Sequence, residues 1–180
     1  MHHTLRFYSR YQPQFLRMYI ALARLTRLPL VGGLVRRVAN LYARHGHRSY
    51  RLTPAEAEQI IDAASSVAVG PCQCRQVFGH CQHPVMSEIL IGTGAVVFSQ
   101  TRPHDFNPVS KEAAKELVRR CHRERLVTNI SKCQGHFYAI CNCCPCCCVP
   151  TRLRREYGIE YALVRDKKFM AGFPGIKTPG

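Results

Sequence analysis

Six of the eleven cysteines of this chain lie within eight positions, in the run CNCCPCCCVP that begins at Cys141. The N-terminus lacks the apolar segment and cleavage site of a secretory signal, and arginines interrupt the longest apolar stretches, so we expect a cytoplasmic protein. Thiols stay reduced in that compartment, and an odd number of cysteines cannot all pair. The run is therefore predicted to bind metal rather than to form disulfides.

The spacing within the run indicates iron–sulfur chemistry. Three of its cysteines form C-x2-C-x2-C, which matches the first three ligands of a bacterial ferredoxin, and a second C-x2-C interleaves with them. Adjacent cysteines tend to point their sulfur atoms in different directions. Two such cysteines are therefore more easily accommodated as ligands of two different metals than of one. Thr151 stands where the ferredoxin pattern would place its next cysteine, so further ligands must come from elsewhere. The first pattern comprises Cys141, Cys144 and Cys147, and the second comprises Cys143 and Cys146.

An earlier group, Cys72, Cys74 and Cys81, can supply the missing ligands. Eight thiolates would satisfy two [4Fe–4S] clusters, and each group is incomplete without the other, so we expect the two groups to meet in space. Cys148 is a further candidate ligand. Backbone amides around Arg75 and Asn142, together with the charge of Arg75, are candidate hydrogen-bond donors to the cofactor. The remaining thiols, Cys121 and Cys133, are expected to be bystanders.

Other metals and functions stay open on the sequence alone. Structural zinc sites usually pair one C-x2-C with another, whereas the earlier group is C-x-C and the run exceeds what one zinc ion can accept. A copper(I)–thiolate cluster is a further possibility. An enzyme in which one cluster iron lacks a thiolate and binds substrate is another possibility, but the sequence offers no Ser/His/Asp order, phosphate loop or paired carboxylates to support catalysis. The net charge of +15 would also suit a zinc-stabilised nucleic-acid-binding protein, but no RNA-binding signature accompanies it.

Charge divides the chain into two parts. Residues 1–51 contain ten arginines, no lysine and no acid, and their apolar residues suit a basic amphipathic helical hairpin broken at Pro29 and Gly32-Gly33. We interpret residues 1–51 as an arginine-rich helical module and residues 52–180 as an iron–sulfur domain. The region Arg6–Arg51 is predicted to dock on a partner subunit of a redox complex or peripherally on the inner face of a membrane, whereas nucleic acid is disfavoured.

Local signals in the second part predict several elements. Thr53 and Glu56 form a capping box that opens a helix running to about Ala64, and Ser110 caps a second helix over 111–126. SVAVGPC reads as a short buried strand, 84–91 as a helix, and VTNISKCQGHFYAIC as a hairpin joined at Gln134-Gly135. The expected fold class is therefore mainly α with a small β-hairpin, an irregular cysteine-rich domain preceded by a basic helical hairpin.

Three segments together, GPCQCR, SKEAAKELVRRCHRERLV and FYAICNCCPCCC, resemble a family of ferredoxin-like 4Fe-4S binding proteins of anaerobic bacteria and archaea. The resemblance covers roughly 52–150. It implies cluster binding and electron transfer. The ligands that it implies are Cys72, Cys74, Cys81, Cys141, Cys143, Cys144, Cys146 and Cys147.

Overall fold

A computed structural model describes residues 2–133, 136–166, 169–170 and 173 of the chain. Within these residues, seven strands form one mixed sheet in the order β4-β2-β3-β6-β5-β1-β7. The strands are β1 (His47–Arg51), β2 (Val67–Pro71), β3 (Met86–Ile91), β4 (Asn107–Pro108), β5 (Val127–Cys133), β6 (His136–Cys143) and β7 (Leu163–Val164). The helices are α1 (His2–Arg24), α2 (Gly32–His45), α3 (Pro54–Ala63), α4 (Gln73–Phe78), α5 (Thr93–Thr101), α6 (Lys111–Arg123) and α7 (Val149–Tyr157), with 3-10 turns at Leu25–Arg27 and Glu160–Ala162.

The expected fold class, mainly α with a small β-hairpin, is wrong. Of the described residues, 55% are helical and 21% are in strands, and the predicted hairpin forms only part of a seven-stranded sheet. The helix expected over 84–91 is also wrong, because Met86–Ile91 is the interior strand β3. Every residue of β3 after Met86 is buried, so its apolar side chains face both sides of the sheet. Periodicity cannot separate such a run from a buried helix, although the β-branched Ile89 and Ile91 favour a strand.

Several local predictions are confirmed. Thr53 caps α3 in a reciprocal capping box with Glu56, and the Ser110 side chain accepts a hydrogen bond from the amide of Ala113 at the start of α6. The segment SVAVGPC contains β2, and β5 and β6 pair in antiparallel fashion as expected. The predicted joint at Gln134-Gly135 lies outside the described residues.

Helices cover both faces of the sheet, and alternation along the strands supplies a core to each. On one face, Ile89 and Ile140 pack beneath α3 and α6. On the other, their neighbours Leu90 and Ala139 pack against α1 and α5, where Phe98 is fully buried. This period of two is what a strand buried on both faces requires.

The arginine-rich segment folds as two helices, and its buried side packs against the rest of the chain. Leu5 and Tyr8 of α1 join the core beside α5, while Leu16 and Ile20 pack toward α7. The strand β1 continues the sheet by pairing with β5. Of the helices that the structure describes, none combines the length and the apolar character needed to cross a membrane.

Candidate metal centre

The sheet topology places the two cysteine groups at the same edge. β2 and β6 are each antiparallel to β3, which lies between them, so they run in the same direction and end at the same edge. Cys72 directly follows β2, and Cys143 is the last residue of β6. Cys141 lies within β6, and the segments that follow the two strands, α4 among them, carry the remaining cysteines of each group. The predicted meeting of the two groups therefore follows from strand order.

Four thiols form a close set, which we call the first thiol group. The sulfur atoms of this group all lie within 4.8 Å of one another, and the Sγ of Cys147 lies 3.8 Å from that of Cys81 and from that of Cys146. The left-handed Gly79 (φ 60°) ends α4 and turns the chain toward the run, and the amide of His80 donates to the Cys147 Sγ at 3.3 Å. The group comprises Cys81, Cys144, Cys146 and Cys147. It can hold a metal, and it confirms that the two sequence groups meet.

The sulfur separations in the first thiol group match a single tetrahedral ion. A bond from metal to thiolate of about 2.3 Å gives a tetrahedron whose sulfur atoms are about 3.8 Å apart. Thiolates on different corners of a [4Fe–4S] cubane each bind their own iron and therefore lie roughly 6 Å apart. Two of the six separations in the group, both 3.8 Å, equal the first value, and all six are within 4.8 Å, below the cubane value.

Protonation in the first thiol group is uneven. Burial opposes ionisation of Cys144, but the amide of Cys147 and the surrounding thiols lower the pKa of Cys144 to about 7. Burial and the neighbouring thiols raise the pKa of Cys146 and of Cys147. One thiolate is thus readily formed near neutral pH, and an arriving cation would displace the other protons, because thiols bind metal in the deprotonated form.

Five other cysteines line one narrow buried cavity of about 40 Å³, and we call them the second thiol group. Two of them precede helices as N-caps, Cys72 at α4 and Cys148 at α7, where the helix dipole favours negative charge. The amide of Val149 donates to Cys74 Sγ at 3.5 Å. The group comprises Cys72, Cys74, Cys141, Cys143 and Cys148. With the first thiol group, it accounts for every cysteine that was predicted to be a ligand.

Glu88 also lines this cavity, although no sequence pattern predicts a role for it. It pairs in register with Cys141 of β6, its Oε1 lies 4.0 Å from Cys141 Sγ, and Tyr8 and Gln12 of α1 close the same space. Burial raises the pKa of Glu88 to about 7 and that of Cys72 to about 12. The pKa of each of the other four thiols is also raised, so the second thiol group is protonated at neutral pH, and a metal would have to displace those protons.

Reading 84–91 as a helix hid the position of Glu88, because only the strand register brings it opposite Cys141. Had this segment been predicted as a buried strand, Glu88 would have stood out, since an acidic residue within a buried strand is uncommon. The residues that α1 contributes carry no local signal.

Arg75 and Asn142 brace the site through protein groups. The Arg75 guanidinium is buried and donates to Ser87 Oγ at 2.9 Å and to the carbonyl oxygens of Pro84 and Asn142. The Asn142 amide donates to the Ser87 carbonyl at 3.0 Å, and its Oδ1 accepts from Thr128. The positive charge of Arg75 acts on thiols of both groups. Direct bonding of Arg75 and Asn142 to a cofactor stays a prediction.

The remaining thiols belong to neither group. Cys121 is buried in α6 within the hydrophobic core, and Cys133 ends β5. All eleven cysteines are free thiols. The two bystanders therefore provide natural controls for experiments on the ligands.

Comparison of the chain with protein-family models, with curated proteins and with solved structures gives no match. Fold and site together define an α/β protein with a four-cysteine group that can hold a metal.

Proposed function

We propose that this protein is an iron–sulfur electron-transfer protein with two metal centres of different kinds. The second thiol group would hold a [4Fe–4S] cluster, and the first thiol group a single tetrahedral iron or zinc ion. The observation that carries the proposal is the convergence of nine thiols at one sheet edge in two sets of unequal spacing. The count of thiolates alone suggested two cubanes, but the 3.8 Å separations favour one ion in the first set.

The donor set of the second thiol group suits a cluster. It offers five thiols where a cubane takes four, and they enter the cavity from α4, β6 and the start of α7. In the described part of the chain, only the first thiol group has three or more candidate ligands all within 4.8 Å of one another. The wider spread of the second group supports a polynuclear centre. Arg75 supplies positive charge that would offset the thiolates.

Electron transfer is compatible with this site because it requires no cavity for a substrate. A cluster that cycles between two oxidation states takes one electron from a redox partner and later releases it, so no substrate cavity is required. The cavity here is narrow and buried, whereas the first thiol group reaches the surface, with Pro145 exposed and Cys146 and Cys81 half-buried. A redox protein or complex subunit could therefore approach from that side.

The metal content of protein purified without oxygen tests the proposal. We expect a brown protein that bleaches with dithionite and contains about four sulfides per chain, with one further iron or zinc ion. Cys121→Ala, a bystander variant, should keep the full content. A colourless protein with stoichiometric zinc and no sulfide would refute the iron–sulfur function and favour a zinc-stabilised nucleic-acid-binding protein. Eight sulfides would instead indicate two cubanes and refute the single-ion assignment.

A further inference from the structure

The helical hairpin of α1 and α2 carries an aliphatic surface that no other part of the described chain covers. Leu34, Val38 and Leu41 are 65%, 59% and 60% exposed and recur at helical spacing, so they form one stripe along α2. Leu30, in the turn before α2, is 96% exposed. We call this surface the hairpin stripe, and it comprises Leu28, Leu30, Val31, Leu34, Val38 and Leu41. Contiguous exposed apolar surface of this kind marks an interaction site.

The charge around the hairpin stripe is positive and uncompensated. Residues 1–51 contain ten arginines and no acid. In the part of the chain that the structure describes, none of these arginines pairs with a carboxylate, and the ion pairs all use basic residues beyond Arg51. Arg36 donates to the carbonyl oxygens of Tyr157 and Thr26, and Arg44 donates to the Tyr161 hydroxyl, so each keeps its full charge.

A groove beside the hairpin stripe concentrates this charge. It has a volume of about 680 Å³, and three arginines, Arg36, Arg37 and Arg44, line it with one acid, Glu160. Leu41 belongs to both the groove and the hairpin stripe, so apolar and basic surfaces adjoin. Guanidinium groups bind phosphate oxygens well because their donors are arranged in a planar fork.

We propose that the α1–α2 hairpin docks on the surface of an anionic lipid bilayer. The hairpin stripe would enter the boundary between headgroups and acyl chains, and the arginines of the groove would contact lipid phosphates. A second copy of the chain fits less well, because it would bring uncompensated arginines against one another. A nucleic acid would satisfy the charge but offers no apolar phase for six aliphatic side chains. An acidic protein would need an apolar patch matched to these side chains as well as the charge, whereas an anionic bilayer supplies both. This proposal is independent of the metal content of the site.

Flotation of the metal-loaded protein with vesicles tests the docking. We expect binding to phosphatidylcholine vesicles that contain phosphatidylglycerol, weak binding to phosphatidylcholine alone, and loss of binding as salt is raised. Leu34→Asp should weaken binding roughly tenfold or more, because it removes a leucine from the apolar boundary. Arg37→Gln should weaken it roughly fivefold. The matched controls lie elsewhere on the surface, Val96→Asp on α5 and Arg120→Gln on α6, and should change it little.

Three outcomes would overturn the docking proposal. They are the absence of binding to phosphatidylglycerol vesicles at low salt, an equal loss of binding in Val96→Asp or Arg120→Gln, and a wild-type dimer that Leu34→Asp dissociates. The last would assign the hairpin stripe to a second copy of the chain. Iron and sulfide are measured on every variant, so that a failure to bind vesicles by a fully loaded protein counts against the docking alone.

Discussion

Arg75 of α4 links the segments that surround the candidate metal centre. Its buried guanidinium donates to Ser87 of β3 and to two backbone carbonyls, that of Pro84 before β3 and that of Asn142 in β6. Hydrogen bonds from a charged donor contribute about 1.5–3 kcal/mol each, and a buried acceptor left without a donor costs about 1–3 kcal/mol. Arg75→Met keeps much of the side-chain volume but removes every donor. We therefore expect this variant to lower the free energy of unfolding by about 3–5 kcal/mol.

Arg119→Met is the matched control, because it makes the same substitution at the surface. Arg119 binds Glu58 through two hydrogen bonds, at 2.9 and 2.7 Å, but its side chain is 46% exposed, so solvent screens the pair and its loss should cost much less than the loss of Arg75. Urea unfolding followed by circular dichroism, under argon with reductant, measures both variants. Iron is determined on each sample, because loss of metal would add its own destabilisation. A cost for Arg75→Met no greater than for Arg119→Met, at equal iron content, would refute the bracing role.

Further predictions concern the two thiol groups, a buried histidine and a close backbone contact. The double variant Cys72→Ala/Cys74→Ala leaves three thiols where a cubane takes four, so it should lose sulfide and keep the single ion, whereas Cys81→Ala should lose the ion and keep sulfide. Loss of both in each variant would contradict two separate centres. Burial lowers the pKa of His47 from 6.5 to about 4, so the folded state opposes protonation of this side chain. As the pH falls from 6.5 to 4, the free energy of unfolding should therefore decrease by up to about 3 kcal/mol, and His47→Gln should lack that decrease. An added Cβ at Gly94 would lie 2.2 Å from a carbonyl oxygen of β6, so Gly94→Ala should destabilise by about 2 kcal/mol or more in thermal unfolding, whereas Gly33→Ala, with open space, should not.

Local sequence signals predicted individual elements well and the architecture poorly. The caps at Thr53 and Ser110 act within a few residues, so the sequence around each is sufficient to identify it. The sheet depends on which strands become neighbours, and the apolar run at β3 offers no periodicity to show that it is a strand. The position of β3 between β2 and β6 depends on contacts between residues far apart in the sequence, and it determines the fold class.

The candidate site shows the same division. The need of each cysteine group for the other predicted correctly that the two would meet. The division of the nine candidate ligands into groups of four and five was not predicted, because Cys81 is close to Cys72 and Cys74 in the sequence and was grouped with them. In the structure, the left-handed Gly79 ends α4, and Cys81 reaches the first thiol group while Cys72 and Cys74 remain at the second.

Strand geometry and helix capping explain why the run can hold so many cysteines in so few positions. Successive side chains of a strand point to opposite faces, so at the end of β6 Cys143 joins the second thiol group and Cys144 the first. At the start of α7 the chain turns again, so Cys147 joins the first group and its neighbour Cys148, the N-cap, joins the second. Only the middle pair, Cys146 and Cys147, serves one group, within the turn between β6 and α7. Such a run can therefore supply thiols to two groups that lie on either side of a single segment of backbone, because two of its three adjacent pairs, Cys143 with Cys144 and Cys147 with Cys148, divide between the groups.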